Sequence, residues 1–156
     1  MEGRTYEEWR KTAEALQAAK QIGEDGSLLR AATIVANGPA APVREIGIRR
    51  DAALTIYEGK FESVAGSEFG PGMWITAAVF LNWGQREQAE GLLKRLESLT
   101  ERNRHPAMSF NLKLGRAHLA TWDGALERAV ALAEEMVEQG QAEGREASPR
   151  AFAGRT

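Results

Sequence analysis

The sequence predicts an all-α protein built from antiparallel helical hairpins, and three observations carry that prediction. The first is an internal repeat at a spacing of 40 residues, in which Ala77, Gly84, Ala89, Leu92, Leu93 and Leu96 recur as Ala117, Gly124, Ala129, Leu132, Ala133 and Met136. Each copy reads as two helices joined at a glycine, a unit that cannot bury its apolar face alone and must stack on a neighbour. The second is that apolar residues in nearly every segment recur at steps of three and four, the spacing of one helix face. The third is the placing of cap and breaker residues between those segments.

A chain of 156 residues fits one domain that buries roughly 70% of the surface its unfolded form exposes, enough to hold a core without staples. The 20 basic and 22 acidic side chains leave a formal net charge of −2, and no global field draws the protein to nucleic acid or to an anionic membrane. Partners must then be recognised by local surface. Cysteine is absent, which excludes disulfides, thiolate catalysis and cysteine-based zinc or iron–sulfur sites. No apolar signal-peptide core follows Met1-Glu2-Gly3-Arg4, and the longest apolar run, residues 73–81, is far too short to cross a bilayer. The expectation is a soluble cytoplasmic protein with no membrane partner.

Thr5-Tyr6-Glu7-Glu8 has the form of a capping box and predicts a helix start. Trp9, Ala13, Leu16 and Ala19 or Lys20 follow on one face, and Gly23 closes the helix. Ser27 is the expected cap of a second helix over residues 28–36, apolar enough to be largely buried, which stops at Asn37-Gly38-Pro39. Residues 38–42 form a small-residue linker with two prolines. Residues 43–64 fit two patterns, since Ile46 and Ile48, then Leu54 and Ile56, alternate as in a strand, while Ile48, Ala52 and Ile56 make a helical stripe. Helix is preferred because a lone hairpin of strands would need a sheet to join. Residues 66–72, rich in glycine with one proline, read as a loop.

The repeat pair covers residues 73–139. A helix over 73–83 is followed by a second over 85–101, whose stripe is Ala89, Leu92, Leu93, Leu96 and Leu99, with Arg86, Glu90 and Lys94 as a solvated ladder opposite. Residues 103–105 make a loop, Pro106 suits a first helical turn, and a helix over 107–121 leads through Trp122-Asp123-Gly124 into the last helix, 125–139. Residues 1–139 are thus read as a single helical domain. Residues 140–156, rich in Gly, Glu, Arg, Ser and Ala, are read as a flexible tail with Phe152 its one anchor.

These hairpins resemble tetratricopeptide repeats. The resemblance rests on Ala77, Phe80, Gly84 and Ala89 in the first unit, and on Leu114-Gly115, Gly124 and Ala129 in the second. The 40-residue offset exceeds the family's usual length of about 34, and Gly115 lies nine residues before Gly124. Longer repeats of this kind occur in the helical arrays of large bacterial transcription regulators, which the Leu, Ala and Glu-rich texture of residues 81–139 also resembles. Unrelated helical hairpins can converge on the same small-residue packing. The resemblance implies a short array of stacked hairpins whose first helices line a groove for a polypeptide.

A second resemblance concerns residues 27–64. Ala31-Ala32, Val43-Arg44-Glu45-Ile46-Gly47, Thr55-Ile56-Tyr57 and Phe61 look like the helix-turn-helix of the tetracycline-repressor family, which implies a DNA-binding transcription regulator as the alternative function. Residues 44–60 hold four basic and three acidic groups, a weak electrostatic footprint for phosphate contact, so nucleic acid ranks below a protein or peptide as the expected partner.

Candidate sites divide by what their spacing permits. His105 and His118 stand thirteen residues apart with no Glu-x-x-His partner, so no metal site is expected, and His118 sits where a packing residue belongs. Glu134, Glu135 and Glu138 lie on one helix and do not converge across a cleft as acid–base work requires. Gly66, Gly70 and Gly72 precede a helix without the lysine and hydroxyl of a phosphate loop, which leaves them the role of a tight crossing. Trp74, Trp83 and Trp122 suit either a core edge or a binding hot spot.

The expected function is therefore a non-enzymatic interaction or adaptor module. The residues expected to meet the partner are Trp74, Asn111, Arg116 and His118, with no catalytic residue, cofactor or metal, and a homo-oligomer is compatible with the sequence.

Overall fold

The computed structural model describes residues 2–38, 46–61, 63–64, 66–103 and 106–142. Among them are seven helices and no strand: α1 (Glu2–Ile22), α2 (Asp25–Ala36), α3 (Ile46–Glu58), α4 (Gly66–Asn82), α5 (Arg86–Asn103), α6 (Pro106–Trp122) and α7 (Leu126–Ala142). The protein is all-α, with neighbouring helices packed against each other as an array. His105 and most of the expected tail lie outside the described residues.

Helix boundaries follow from where backbone donors and acceptors find partners. Gly23, Gly84 and Gly124 each adopt φ of 71°, the left-handed conformation that costs glycine little and other residues more. At Gly84 the amide bonds Leu81 O and the Gln85 amide bonds Phe80 O; at Gly124 the amide bonds Thr121 O and the Ala125 amide bonds Ala120 O. Both are Schellman closures, which satisfy the last carbonyls of α4 and α6 in the same way.

The start of α2 departs from expectation. Glu24, not Ser27, is its N-cap, with carboxylate oxygens accepting from the Gly26 amide at 2.9 Å and the Ser27 amide at 2.6 Å. The helix therefore begins at Asp25. A hydrogen bond from the Ser27 side chain, followed by those from the Ser27 and Gly26 amides, holds the Glu24 carboxyl below its ordinary pKa. Residues 46–58 are helix, as the stripe predicts, with Ala52, Ala53 and Ile56 fully buried.

Residues 66–72 also differ, since they form the first turns of α4 where a loop is expected. A Cβ on Gly70 would stand 2.9 Å from Asn111 Nδ2, and one on Gly72 would stand 3.0 Å from Leu29 Cδ1 and Thr33 Oγ1. The glycines let α6 and α2 approach α4 closely, the tight-crossing role, and do so from within a helix. At the other end, α7 continues to Ala142 with Gly140 buried, beyond the expected stop at Gln139.

Packing makes α2, α4 and α6 the central row. α4 touches α2, α3, α5 and α6; α1 and α3 flank α2, α5 bridges α4 and α6, and α7 rests on α6. One core runs through the array, with Phe61, Phe69, Met73, Phe80, Leu92 and Leu96 among its largest members. Arg95 joins α5 to the end of α3, donating to Gly59 O at 2.7 Å while its guanidinium lies 5.6 Å from the Phe69 ring centroid.

Candidate functional site

Of the four residues expected to line a groove, Asn111 and Trp74 lie at the α4–α6 contact, Arg116 pairs with α5, and His118 is half-buried on α6. Asn111 is only 8% exposed, donates from Nδ2 to Ala107 O at 2.6 Å and faces Gly70 across the α4–α6 crossing. Trp74, half-buried, lies beside Gly115, whose added Cβ would stand 3.6 Å from Trp74 Cβ. Gly70 meets Asn111 and Trp74 meets Gly115, so α4 and α6 run side by side in the same direction. Arg116 points elsewhere, to Glu97 of α5, with which it forms an ion pair. His118 is half-buried, its Nε2 has no hydrogen-bond partner among the described residues, and burial pushes its pKa down. Asn111 and His118 lie seven residues apart on one face of α6, while Arg116 lies on another.

The residues of the DNA-binding alternative are also engaged. Arg49 donates from Nε and Nη2 to Ala36 O at 3.2 and 3.0 Å, satisfying a last carbonyl of α2. Tyr57 packs edge-on against Phe80 with ring centroids 5.8 Å apart. The exposed charges of α3, Arg50 with Asp51 and Glu58, nearly cancel.

Two other surfaces carry exposed apolar side chains. The first is an open groove of about 500 Å³ between α1 and α2, lined by Ala15, Ala18, Ala19, Ile22, Ala31 and Ile34, with Glu24, Gly26, Ser27 and Arg30 completing it. Ile22 is 71% and Ile34 51% exposed. The sequence carried a signal for it: Ala15, Ala18 and Ile22 step by three and four beside the buried stripe of Leu16 and Ala19, and mark a second apolar face on α1. The second surface lies on α7, where Leu126 and Val130 are each 56% exposed, next to Trp122 at 53%.

Ion pairs tie the last two hairpins together. Arg86, at the start of α5, bonds Glu90 through Nε at 2.7 Å and clasps both carboxylate oxygens of Asp123 in the turn after α6. The hydrogen bonds from Arg86 hold the Asp123 carboxyl below the usual carboxylate range. Among the described residues, no group of three or more His, Asp or Glu side chains is placed to hold a metal ion, and no helix is long and apolar enough to cross a membrane.

No family model, no curated protein and no solved structure matches the chain.

Proposed function

We propose that the chain is a helical-repeat interaction module whose binding surface is the groove between α1 and α2. The observation that carries this reading is the groove itself, an open trough floored by alanines with two exposed isoleucines along it. Alanine side chains let a partner backbone approach closely, and exposed isoleucines supply apolar area that is lost from water only when something covers them. A trough of this shape suits the apolar ridge of an amphipathic helix, whereas a small ligand needs walls on most sides. The repeat reading has its own support: α4 and α6 end at Asn82 and Trp122 and α5 and α7 begin at Arg86 and Leu126, a common offset of 40 residues.

The test is selection of helical peptides on the purified chain from a displayed library, followed by binding to Ala18→Glu and Ile34→Asp variants. Loss of affinity by about tenfold or more, equivalent to roughly 1.4 kcal/mol, is the expected result. Peptides that bind both variants as tightly as the parent chain place the surface elsewhere.

A further inference from the structure

The groove between α1 and α2 stands where the helical row of this chain would admit one more member. α3, α5 and α7 begin at Ile46, Arg86 and Leu126, steps of 40 residues, and one further step back gives Tyr6, inside α1. Each of the three is the second helix of a hairpin whose first helix is α2, α4 or α6. α1 therefore fills the place of a second helix, and the first helix that would precede it is not among the described residues. A first helix in this chain packs on its own second helix and on the following first helix: α4 touches α5 and α6, and α2 touches α3 and α4. The register repeats as well. Gly70 and Trp74 meet Asn111 and Gly115, each 41 residues on, and Leu29 and Thr33 meet Gly72, 43 and 39 residues on. A first helix placed before α1 by the same rule would lie against α1 and α2, which are the walls of the groove.

We propose that the groove takes one helix of another polypeptide, laid parallel to α2 as a further member of the α2–α4–α6 row, a proposal that rests on the groove being the binding surface. The residues lining it hold places that are covered elsewhere in the chain. Ile34 is 51% exposed, whereas Leu114, eighty residues on, is 8% exposed. Asn111, eighty residues on from Ala31, is the residue that faces Gly70 of the preceding first helix. On the other wall, Ala15 corresponds to Arg95, whose guanidinium lies over the Phe69 ring of α4, the first helix of its own hairpin. Both walls thus turn toward the position of a preceding first helix. The outer face of a terminal repeat is ordinarily polar, and here it carries alanine and isoleucine. The helices seated in the equivalent places specify the occupant: α4 presents Gly70 and Trp74 to α6, and α2 presents Leu29 and Thr33 to α4, pairs that share a face at i and i+4. The partner is therefore an amphipathic helix with small and apolar residues at that spacing. A carboxylate on its edge suits Arg30 at the rim, since the Glu24 carboxylate is turned to the amides of Gly26 and Ser27. A second copy is the poorer occupant: its exposed apolar helix, α7, has one side already packed on α6, and a helix seated between two walls needs both sides open.

The probe is a helical peptide selected from the displayed library that binds the parent chain and loses affinity for Ile34→Asp. Ala18 and Ile34 are exposed, so Ala18→Glu and Ile34→Asp should keep the fold, checked by circular dichroism. The peptide is made with a nitroxide at its N-terminus and, separately, at its C-terminus, and the amide signals of the isotope-labelled chain are read by NMR. Gly26 and Asn37, at the two ends of α2, stand about 16 Å apart. The N-terminal label should attenuate the Gly26 and Ser27 signals about twofold or more beyond that of Asn37, and the C-terminal label should do the reverse. The opposite polarity, or a peptide that lies across α2, overturns the parallel row and leaves the groove as the binding surface. A concentration-dependent dimer of the parent chain that Ile34→Asp abolishes also overturns the proposal, by giving the groove to a second copy. Selected peptides that bind Ala18→Glu and Ile34→Asp as tightly as the parent chain remove the groove reading itself, and the added helix with it.

Discussion

Ala89 and Ala129 occupy the same place in the two hairpins, five residues after the turn glycine, yet the structure assigns them different sensitivities to enlargement. Ala89 is 0% exposed, within a helix held by both α4 and α6, whereas Ala129 remains half-buried on α7, which rests on α6. Replacing alanine by leucine adds three carbon atoms. At position 89 these have no free space, and overpacking of a closed site costs about 1–3 kcal/mol. At position 129 they can turn toward solvent, and the cost should stay below about 1 kcal/mol, the range of substitutions away from a tight core. Alanine and leucine are both strong helix formers, so intrinsic propensity does not confound the comparison. For a domain of this size, a loss of about 2 kcal/mol lowers Tm by about 4–8 °C. Thermal and chemical denaturation of Ala89→Leu and Ala129→Leu, followed by circular dichroism, should show a clear drop for the first and little for the second. Equal shifts, or an unchanged Ala89→Leu, would refute the account of which helices have two neighbours.

Two further outcomes follow from groups already placed. Burial holds the His118 pKa below 6.5, so as pH falls through 6.5 toward the lower folded value the unfolded chain takes up a proton that the folded chain does not, and stability declines; His118→Gln should flatten that slope between neutral and mildly acid pH, measured by the denaturation midpoint. Because Arg49 closes the end of α2, Arg49→Ala with Arg50→Ala should lower the melting temperature and leave retention on random duplex DNA unchanged from the parent, whereas salt-dependent retention abolished by that pair would favour the helix-turn-helix reading.

The seven helices were largely legible because stripes and breakers are local properties. Leu92, Leu93, Leu96 and Leu99 declare the buried face of α5 in their spacing, and Gly84 and Gly124 declare their turns. Glycine is ambiguous where it serves another purpose. Gly70 and Gly72 read as a loop, although each marks a place where a second helix comes within reach of a missing Cβ, and that second helix is distant in sequence. Glutamate is not among the usual caps, so Glu24 carries no cap signal, yet its longer side chain reaches the same amides. The packing around the expected site residues is hidden in the sequence for a third reason. Periodicity says which side of a helix is apolar, but not how many helices surround it, so it does not show that Trp74 on α4 and Asn111 on α6 stand where those two helices meet.

The links between α5 and the last hairpin divide by kind. Arg86 with Asp123 and Arg116 with Glu97 are ionic and partly open to solvent, while Leu93 on Gly115 is a close-packed contact, as is the α4–α6 crossing at Gly70. Dissolved salt screens the first kind and leaves the second almost untouched. Rising ionic strength should therefore weaken the two ion pairs and leave the close-packed contacts that carry the last hairpin nearly unchanged.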